Sequence, residues 1–214
     1  MKKSSFYNRY AKKSIDFIVS LLGLIVLSPI FAILALLIYI DDPGPVLFTQ
    51  KRIGANKSFF KLHKFRSMKM STPHDMPTHL LENPDQYITK IGKFLRKSSL
   101  DELPQIWDIF VGNMSIIGPR PALWNQDDLI AERDKYGANE LRPGLTGWAQ
   151  INGRDELEIP TKAKFDGEYV KNISFLFDCK CFFLTIQSVL KRDGVVEGGT
   201  GELQKQKSEK ATTK

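Results

Sequence analysis

Residues 17–40 read FIVSLLGLIVLSPIFAILALLIYI, without a charge from Phe17 to Ile40. At about 1.5 Å of rise per residue such a helix reaches roughly 36 Å, enough for a bilayer core of about 30 Å. Lys2, Lys3, Arg9, Lys12 and Lys13 precede it, as basic residues precede a signal peptide. The run is too long for a signal core, however, and its exit at Asp41-Asp42-Pro43 has no small-residue cleavage pattern, so a retained anchor is expected. Ser28-Pro29 lies in mid-run, where proline removes a backbone hydrogen bond and kinks a helix, and a serine hydroxyl can satisfy the carbonyl set free. Lys51, Arg52, Lys57, Lys61, Lys64, Arg66 and Lys69 follow the run, so both flanks are basic and the positive-inside rule places both on the cytoplasmic face. A helix broken at Ser28-Pro29 that enters and leaves by one face reconciles these facts. A single span containing a proline is the competing reading.

The rest of the composition limits what the anchor can carry. The chain has 214 residues, 42% hydrophobic and 26% charged, which suits one compact domain plus an anchor and excludes a polytopic membrane protein. Its 31 Lys and Arg against 24 Asp and Glu fit nucleic acid, an anionic membrane surface or phosphorylated substrates. Cys179 and Cys181 are too close together for a staple and lack the further ligands of a zinc site, so they read as structural filler in a reducing compartment. His63, His74 and His79 show no ligand or catalytic-base spacing and receive no role.

Beyond the anchor, Val46–Arg52 and Phe59–Phe65 are short β-branched and aromatic runs around Gly54-Ala55-Asn56-Lys57, which predicts a β-hairpin. Ser71–Pro84 reads as a loop and Ile88–Arg96 as a short helix, with a second helix from near Asp101 carrying Leu103, Ile106, Trp107, Phe110 and Val111 on its apolar side. Asn113–Pro121 and Arg142–Arg154 read as loops, Asn125–Tyr136, Lys162–Tyr169 and Ile173–Lys191 as helices. Asp178 and Lys180 interrupt the last and rule against a second span, leaving an interfacial amphipathic helix or a buried core helix. The expected fold class is therefore mainly α with a small β-hairpin (α+β). Its domains are a membrane helix over 1–42, a catalytic domain over 43–196 and a disordered tail over 197–214.

Ser98-Ser99-Leu100-Asp101-Glu102-Leu103-Pro104 carries the strongest chemical signal. Pro104 suits a first helical turn, and Ser99 and Glu102 have capping-box spacing, which puts Asp101 at or near a helix N-terminus. Free N–H groups there favour an ionised carboxylate and attract phosphate oxygens. An ionised Asp can attack phosphorus, and an adjacent Glu can hold Mg²⁺, which takes one or two carboxylates plus substrate phosphate oxygens. The plainer reading is a pair of acidic caps. Arg96, one short turn upstream, and Arg120, in the stiff Gly118-Pro119-Arg120-Pro121 loop, are pre-organised guanidiniums of the kind that bind phosphate, and Lys64 and Arg66 at the end of the hairpin add cations. The glycine-rich Arg142–Arg154 stretch fits either a ligand-contacting loop or a packed connector.

Taken in order, these blocks closely resemble the bacterial sugar transferase family, the monotopic phosphoglycosyl transferases. The resemblance runs from about Ala11 to Val195. It rests on Ser28-Pro29, Lys51-Arg52-Ile53-Gly54, Lys64-Phe65-Arg66-Ser67-Met68, Leu100 to Gln105, Met114 to Pro121, Arg142 to Arg154 and Asp166 to Tyr169. It implies a re-entrant, cytoplasm-facing helix on the bacterial inner membrane, broken at Ser28-Pro29. It also implies that Asp101 attacks the β-phosphate of a UDP-sugar and releases UMP, after which polyprenyl phosphate takes the phosphosugar. Glu102 is implied as the Mg²⁺ ligand, Lys64, Arg96 and Arg120 as the phosphate-binding shell, and Arg154, Asp166 and Asp178 as nucleotide-binding or organising residues. The chain lacks the multi-span N-terminal region of the longer members and reads as a minimal catalytic version. Lys57 departs from the small residue or glycine that many members have in the hairpin turn.

The sequence does not choose the sugar; N-acetylhexosamines and their deoxy or amino relatives are candidates, for capsule, exopolysaccharide, O-antigen or glycoprotein synthesis. A homodimer is compatible with it. A membrane-anchored scaffold whose Asp101-Glu102 is only a cap is the alternative. A nucleic-acid binder would need a recognition helix or a stacking-aromatic stripe, and the sequence has neither.

Overall fold

The computed structural model describes residues 6–72, 84–153 and 157–191. Arg154, the tail from Glu197 and most of the Ser71–Pro84 loop lie outside the described residues. A π-helical turn over Tyr7–Ala11 runs into α1, Lys12–Asp41, which continues through Pro29. Proline has no N–H for the carbonyl four residues back, which is that of Ile25. Ser28 Oγ donates to that oxygen at 2.8 Å, so the serine supplies the donor its neighbour lacks and the helix continues across the dipeptide.

The helix meets the rest of the chain along one stripe. Lys12, Asp16 and Ser20 are buried, Gly23 faces Ile106, Phe31, Leu34 and Ile38 pack inward, and Asp41 and Asp42 accept hydrogen bonds from the domain. These positions recur every three or four residues, the repeat of one helical face. The other faces expose Ile18, Val19, Leu22, Ile25, Val26, Ile33, Leu36 and Ile40. The stripe is polar at one end and apolar at the other. Lys12 Nζ lies 2.5 Å from Asp178, and Asp16 pairs with Arg142 at 2.9 Å while accepting the Ile116 N–H at 3.1 Å. Leu34 and Ile38 join Phe65 and Leu95 in one core cluster, and Asp41 accepts the Ile91 N–H at 2.8 Å. Both ends of the apolar helix are thus fastened to a single domain.

That domain is small-sheeted, as expected. Strands β1, Leu47–Ile53, and β2, Phe59–Phe65, form the antiparallel hairpin, with Leu47 opposite Phe65 and Ile53 opposite Phe59. Asn56 and Lys57 close it at φ of 52° and 59°, a backbone that explains why a small residue or glycine suits position 57. Helices α2, Lys90–Ser98, and α3, Gln105–Phe110, follow. Two segments expected as loops contain short strands, β3 at Ser115–Ile117 and β4 at Gly144–Thr146, paired in parallel. They pair because glycine lets the backbones touch: a Cβ on Gly144 would lie 2.1 Å from Gly118 N. The glycine-rich stretch is a packed connector at this point. Between the strands lies α4, Asp127–Asp134; after them come α5, Trp148–Ile151, α6, Ile159–Asn172, and α7, Phe175–Lys191.

Helix α7 is amphipathic the wrong way round for a water-soluble protein. Asp178 and Cys181 are buried, while Phe175, Leu176, Phe182, Phe183 and Ile186 are exposed. This rules out a buried core helix and leaves an apolar face of the kind found at a bilayer surface.

Replacing Asp16 with alanine removes a buried carboxylate that holds both the part-buried Arg142 guanidinium and the Ile116 N–H. Loss of one partner of a buried pair costs about 3–5 kcal/mol, so the thermal unfolding midpoint in detergent should fall by several degrees or more. An unchanged midpoint would mean that the polar end of the stripe does not hold the helix.

Candidate active site

Asp101 and Glu102 lie in a 3-10 turn, Leu100–Glu102, between α2 and α3. The expected capping box does not form. Ser99 adopts φ 56° as the left-handed C-cap of α2, makes no side-chain cap, and the α-helix begins only at Gln105. A six-residue helix starting beyond the pair provides little dipole, so the electrostatics come from side chains instead. What fixes the turn is packing: Leu100 and Leu103, flanking the two carboxylates, sit against the cluster of Leu34, Ile38, Phe65 and Leu95. The carboxylate pair therefore stands directly on the apolar helix.

Glu102 receives the Lys64 ammonium at 2.8 Å and the Arg120 guanidinium at 3.2 Å, both on Oε1. Burial raises its pKa, but Lys64 and Arg120 outweigh burial and hold the carboxyl well below the usual range. Among the described residues Oε2 carries no hydrogen bond. Asp101 is different. Burial pushes its pKa above the ordinary 3.8, Glu102 adds to the rise, and Lys64, Arg96 and Arg120 oppose it. No hydrogen bond among the described residues ties up its carboxylate. The arrangement is one carboxylate fixed by cations and a second, desolvated and unengaged, within the field of three of them.

Each cation comes from a different element. Lys64 is the penultimate residue of β2, Arg96 lies in the last turn of α2 with its Nε on Ser67 Oγ at 2.9 Å, and Arg120 follows β3. The strand before Arg120 is held at Ile117, whose carbonyl accepts the Tyr169 hydroxyl at 3.2 Å. Hairpin, α2 and the β3–β4 pair thus converge on one pair of carboxylates. Three residues expected at the site have other partners. Arg66 is buried and donates to the Asp42 carboxylate at 2.7 Å and to the Asp42 carbonyl, which ties β2 to the end of α1. Asp166 is buried against Arg133 at 2.7 Å. Asp178 accepts from Lys12, Tyr7 and Tyr169. These three hold the scaffold; the carboxylate pair shares no partner with them. Arg154 lies outside the described residues.

One residue that the sequence reading passed over adjoins the site. His63, beside Lys64, gives both its backbone N–H (2.9 Å) and its ring Nδ1 (2.8 Å) to Asp108, whose side chain is fully buried in α3. A histidine one residue before a basic phosphate-binding position carries no spacing signal, and only the fold shows the pairing.

The described residues hold no cluster of three His, Cys, Asp or Glu groups. Glu102 Oε2, with Asp101 beside it, offers hard oxygen donors of the kind Mg²⁺ takes, and a shell would need phosphate oxygens and water to complete it.

The family model described as bacterial sugar transferase matches residues 7–192. The chain is 39% identical over 192 residues to the UDP-glucose:undecaprenyl-phosphate glucose-1-phosphate transferase of Escherichia coli, covering 84% of this chain and 40% of that protein. It is 34% identical to the undecaprenyl-phosphate galactose phosphotransferase of Salmonella typhimurium, covering 90% and 42%. It is 37% identical to the exopolysaccharide production protein ExoY of Sinorhizobium fredii, covering 84% and 85%. The chain thus spans about two fifths of the length of the first two relatives.

Arg66→Met should lower the thermal midpoint, as should Asp42→Asn. Because the two residues serve one contact, the double variant should fall little further than the worse single one. Losses that simply add would mean that Arg66 acts elsewhere.

Proposed function

Given that the chain belongs to the bacterial sugar transferase family, we propose that it moves a sugar phosphate from a UDP-sugar onto polyprenyl phosphate through a covalent intermediate on Asp101. The observation that carries the proposal is the unengaged Asp101 carboxylate, desolvated among Lys64, Arg96 and Arg120 on top of the apolar helix. The relatives' names point to UDP-glucose and UDP-galactose as donors to try first, ahead of UDP-N-acetylhexosamines.

In the first half-reaction an Asp101 oxygen bonds to the β-phosphorus of the donor while the phosphoanhydride bond breaks and UMP departs with the bonding electrons. Lys64, Arg96 and Arg120 spread the charge that builds on the phosphoryl oxygens. In the second half-reaction a phosphate oxygen of the polyprenyl acceptor attacks the same phosphorus, the acyl-phosphate bond breaks, and Asp101 returns as a carboxylate. One phosphate subsite serves both substrates in turn. Glu102 Oε2 is the oxygen we assign to Mg²⁺, which when bound would neutralise donor phosphate charge. Lys64 and Arg120 also keep Glu102 ionised and oriented.

The acceptor's tail is in the bilayer and the donor is in water, so the reaction needs its carboxylates at the membrane surface. The stripe along α1 supports a monotopic placement on the cytoplasmic face of the bacterial inner membrane, because one domain holds both ends of the helix. The exposed apolar face of α7 supports a domain resting on the lipid.

With UDP-glucose, UDP-galactose and UDP-N-acetylhexosamines, polyprenyl phosphate and Mg²⁺, at least one donor should yield UMP, and Asp101→Asn should lower the rate by about a thousandfold or more. Full turnover in that variant would remove Asp101 as nucleophile. For topology, single cysteines at Ser4 and Ser58, with Cys179 and Cys181 replaced by alanine, should react with an impermeant reagent from the same side of sealed vesicles. Reaction from opposite sides would rule out the re-entrant helix.

A further inference from the structure

Strand β2 meets the catalytic segment twice, through consecutive residues. Lys64 reaches Glu102 at 2.8 Å, and His63 reaches Asp108 through two bonds of 2.8 and 2.9 Å. His63 lies opposite Thr49 in the hairpin, yet its N–H goes to Asp108, so α3 closes that position of the strand with a side chain where a third strand would otherwise pair. Asp108 also holds the exit from α3: its carbonyl accepts the N–H groups of Asn113 and Met114, from which the chain enters β3 and reaches Arg120. A buried carboxylate with both oxygens committed to one residue tolerates little displacement.

Among the described residues, the His63–Asp108 bonds are the directional contact between α3 itself and β2. The neighbouring packing of Phe60 and Leu62 against Ile109 and Met114 is apolar and non-directional. With Asp108 ionised, ring Nδ1 carries the proton, and among the described residues Nε2 has no hydrogen-bond partner. The pair therefore supplies a directional lock beside the reacting carboxylates.

We propose that His63 is a positioning residue: through Asp108 it sets α3 on the edge of β2 in the register that brings Lys64 to Glu102. The inference rests on the reading of Asp101 and Glu102 as the reacting pair. It assigns His63 no proton transfer; the useful atom is Nδ1, and Nε2 is dispensable.

Asparagine tests this directly, because its amide nitrogen can occupy the place of Nδ1 while nothing replaces Nε2. The measurement is kcat and KM for the UDP-sugar turned over, alongside the thermal midpoint of each purified variant. His63→Ala should lower kcat about tenfold or more while KM stays within about threefold, since small misplacements near reacting groups act on rate. His63→Asn should recover most of that loss. In a Lys64→Met background, His63→Ala should cost less than about twofold more, because both act through the position of Glu102. The proposal is overturned if His63→Asn is as slow as His63→Ala, which would point to Nε2 chemistry. It is also overturned if the His63 and Lys64 losses multiply, or if His63→Ala lowers only the midpoint. Failure of the underlying reading shows separately, as full turnover in Asp101→Asn. The lock itself can then still be read from a thermal cycle of His63→Ala with Asp108→Asn, where additive losses would refute it.

Discussion

The structure depends on how an almost wholly apolar helix is held against a charged domain. Apolar contact alone cannot specify that arrangement, because the lipid-like faces of α1 are equivalent to one another. Specificity comes from charges placed on one stripe: Lys12 on Asp178, Asp16 on Arg142, Asp42 on Arg66, with Asp41 capping the Ile91 N–H. The Asp178 and Arg66 partners are buried, so breaking those pairs costs most. Between them the stripe becomes apolar at Leu34 and Ile38, and on that stretch rests the turn bearing Asp101 and Glu102. Anchor and chemistry are therefore one packed unit, and the height of the carboxylates follows from that of the helix.

The same economy governs the charges around the site. Arg66 and Lys64 are two residues apart at the end of the hairpin and both cationic, yet one pairs with Asp42 at the end of α1 and the other with the Glu102 carboxylate. Neighbouring acids split likewise. Two cations pull Glu102 well below the carboxylate range, while burial pushes Asp101 up and leaves it without a hydrogen bond. An acid held ionised beside one left unengaged is the division of labour that a metal ligand next to a nucleophile requires.

Much of this was legible in the sequence, for physical reasons. The uncharged run, the hairpin and the fold class follow from hydrophobic length and period. At Ser28-Pro29 the missing donor and its substitute, adjacent in the chain, were readable, but the expected break is not there: with the serine supplying the donor, α1 runs on through Pro29. Helix α7 was left between two readings because its pattern marks an apolar face without saying what the face meets. The β3–β4 pair was missed because three-residue strands carry no period, and the glycines that permit their contact look the same as glycines in a loop. Charged residues were found by type but not by partner: Arg66, Asp166 and Asp178 pair with Asp42, Arg133 and Lys12, and nothing in their spacing announces those partners. The capping box failed because Ser99 was needed to turn the chain out of α2.

The central claim is that Asp101 is the atom-accepting group of a site mounted on the membrane helix. It is tested most directly by incubating the protein with its UDP-sugar in the absence of polyprenyl phosphate, quenching in acid and mapping the adduct by mass spectrometry. The account predicts one phosphosugar on the peptide containing Leu100-Asp101-Glu102, localised to Asp101 and discharged when polyprenyl phosphate is added. A phosphosugar on another residue, or an adduct that the acceptor cannot discharge, would contradict it.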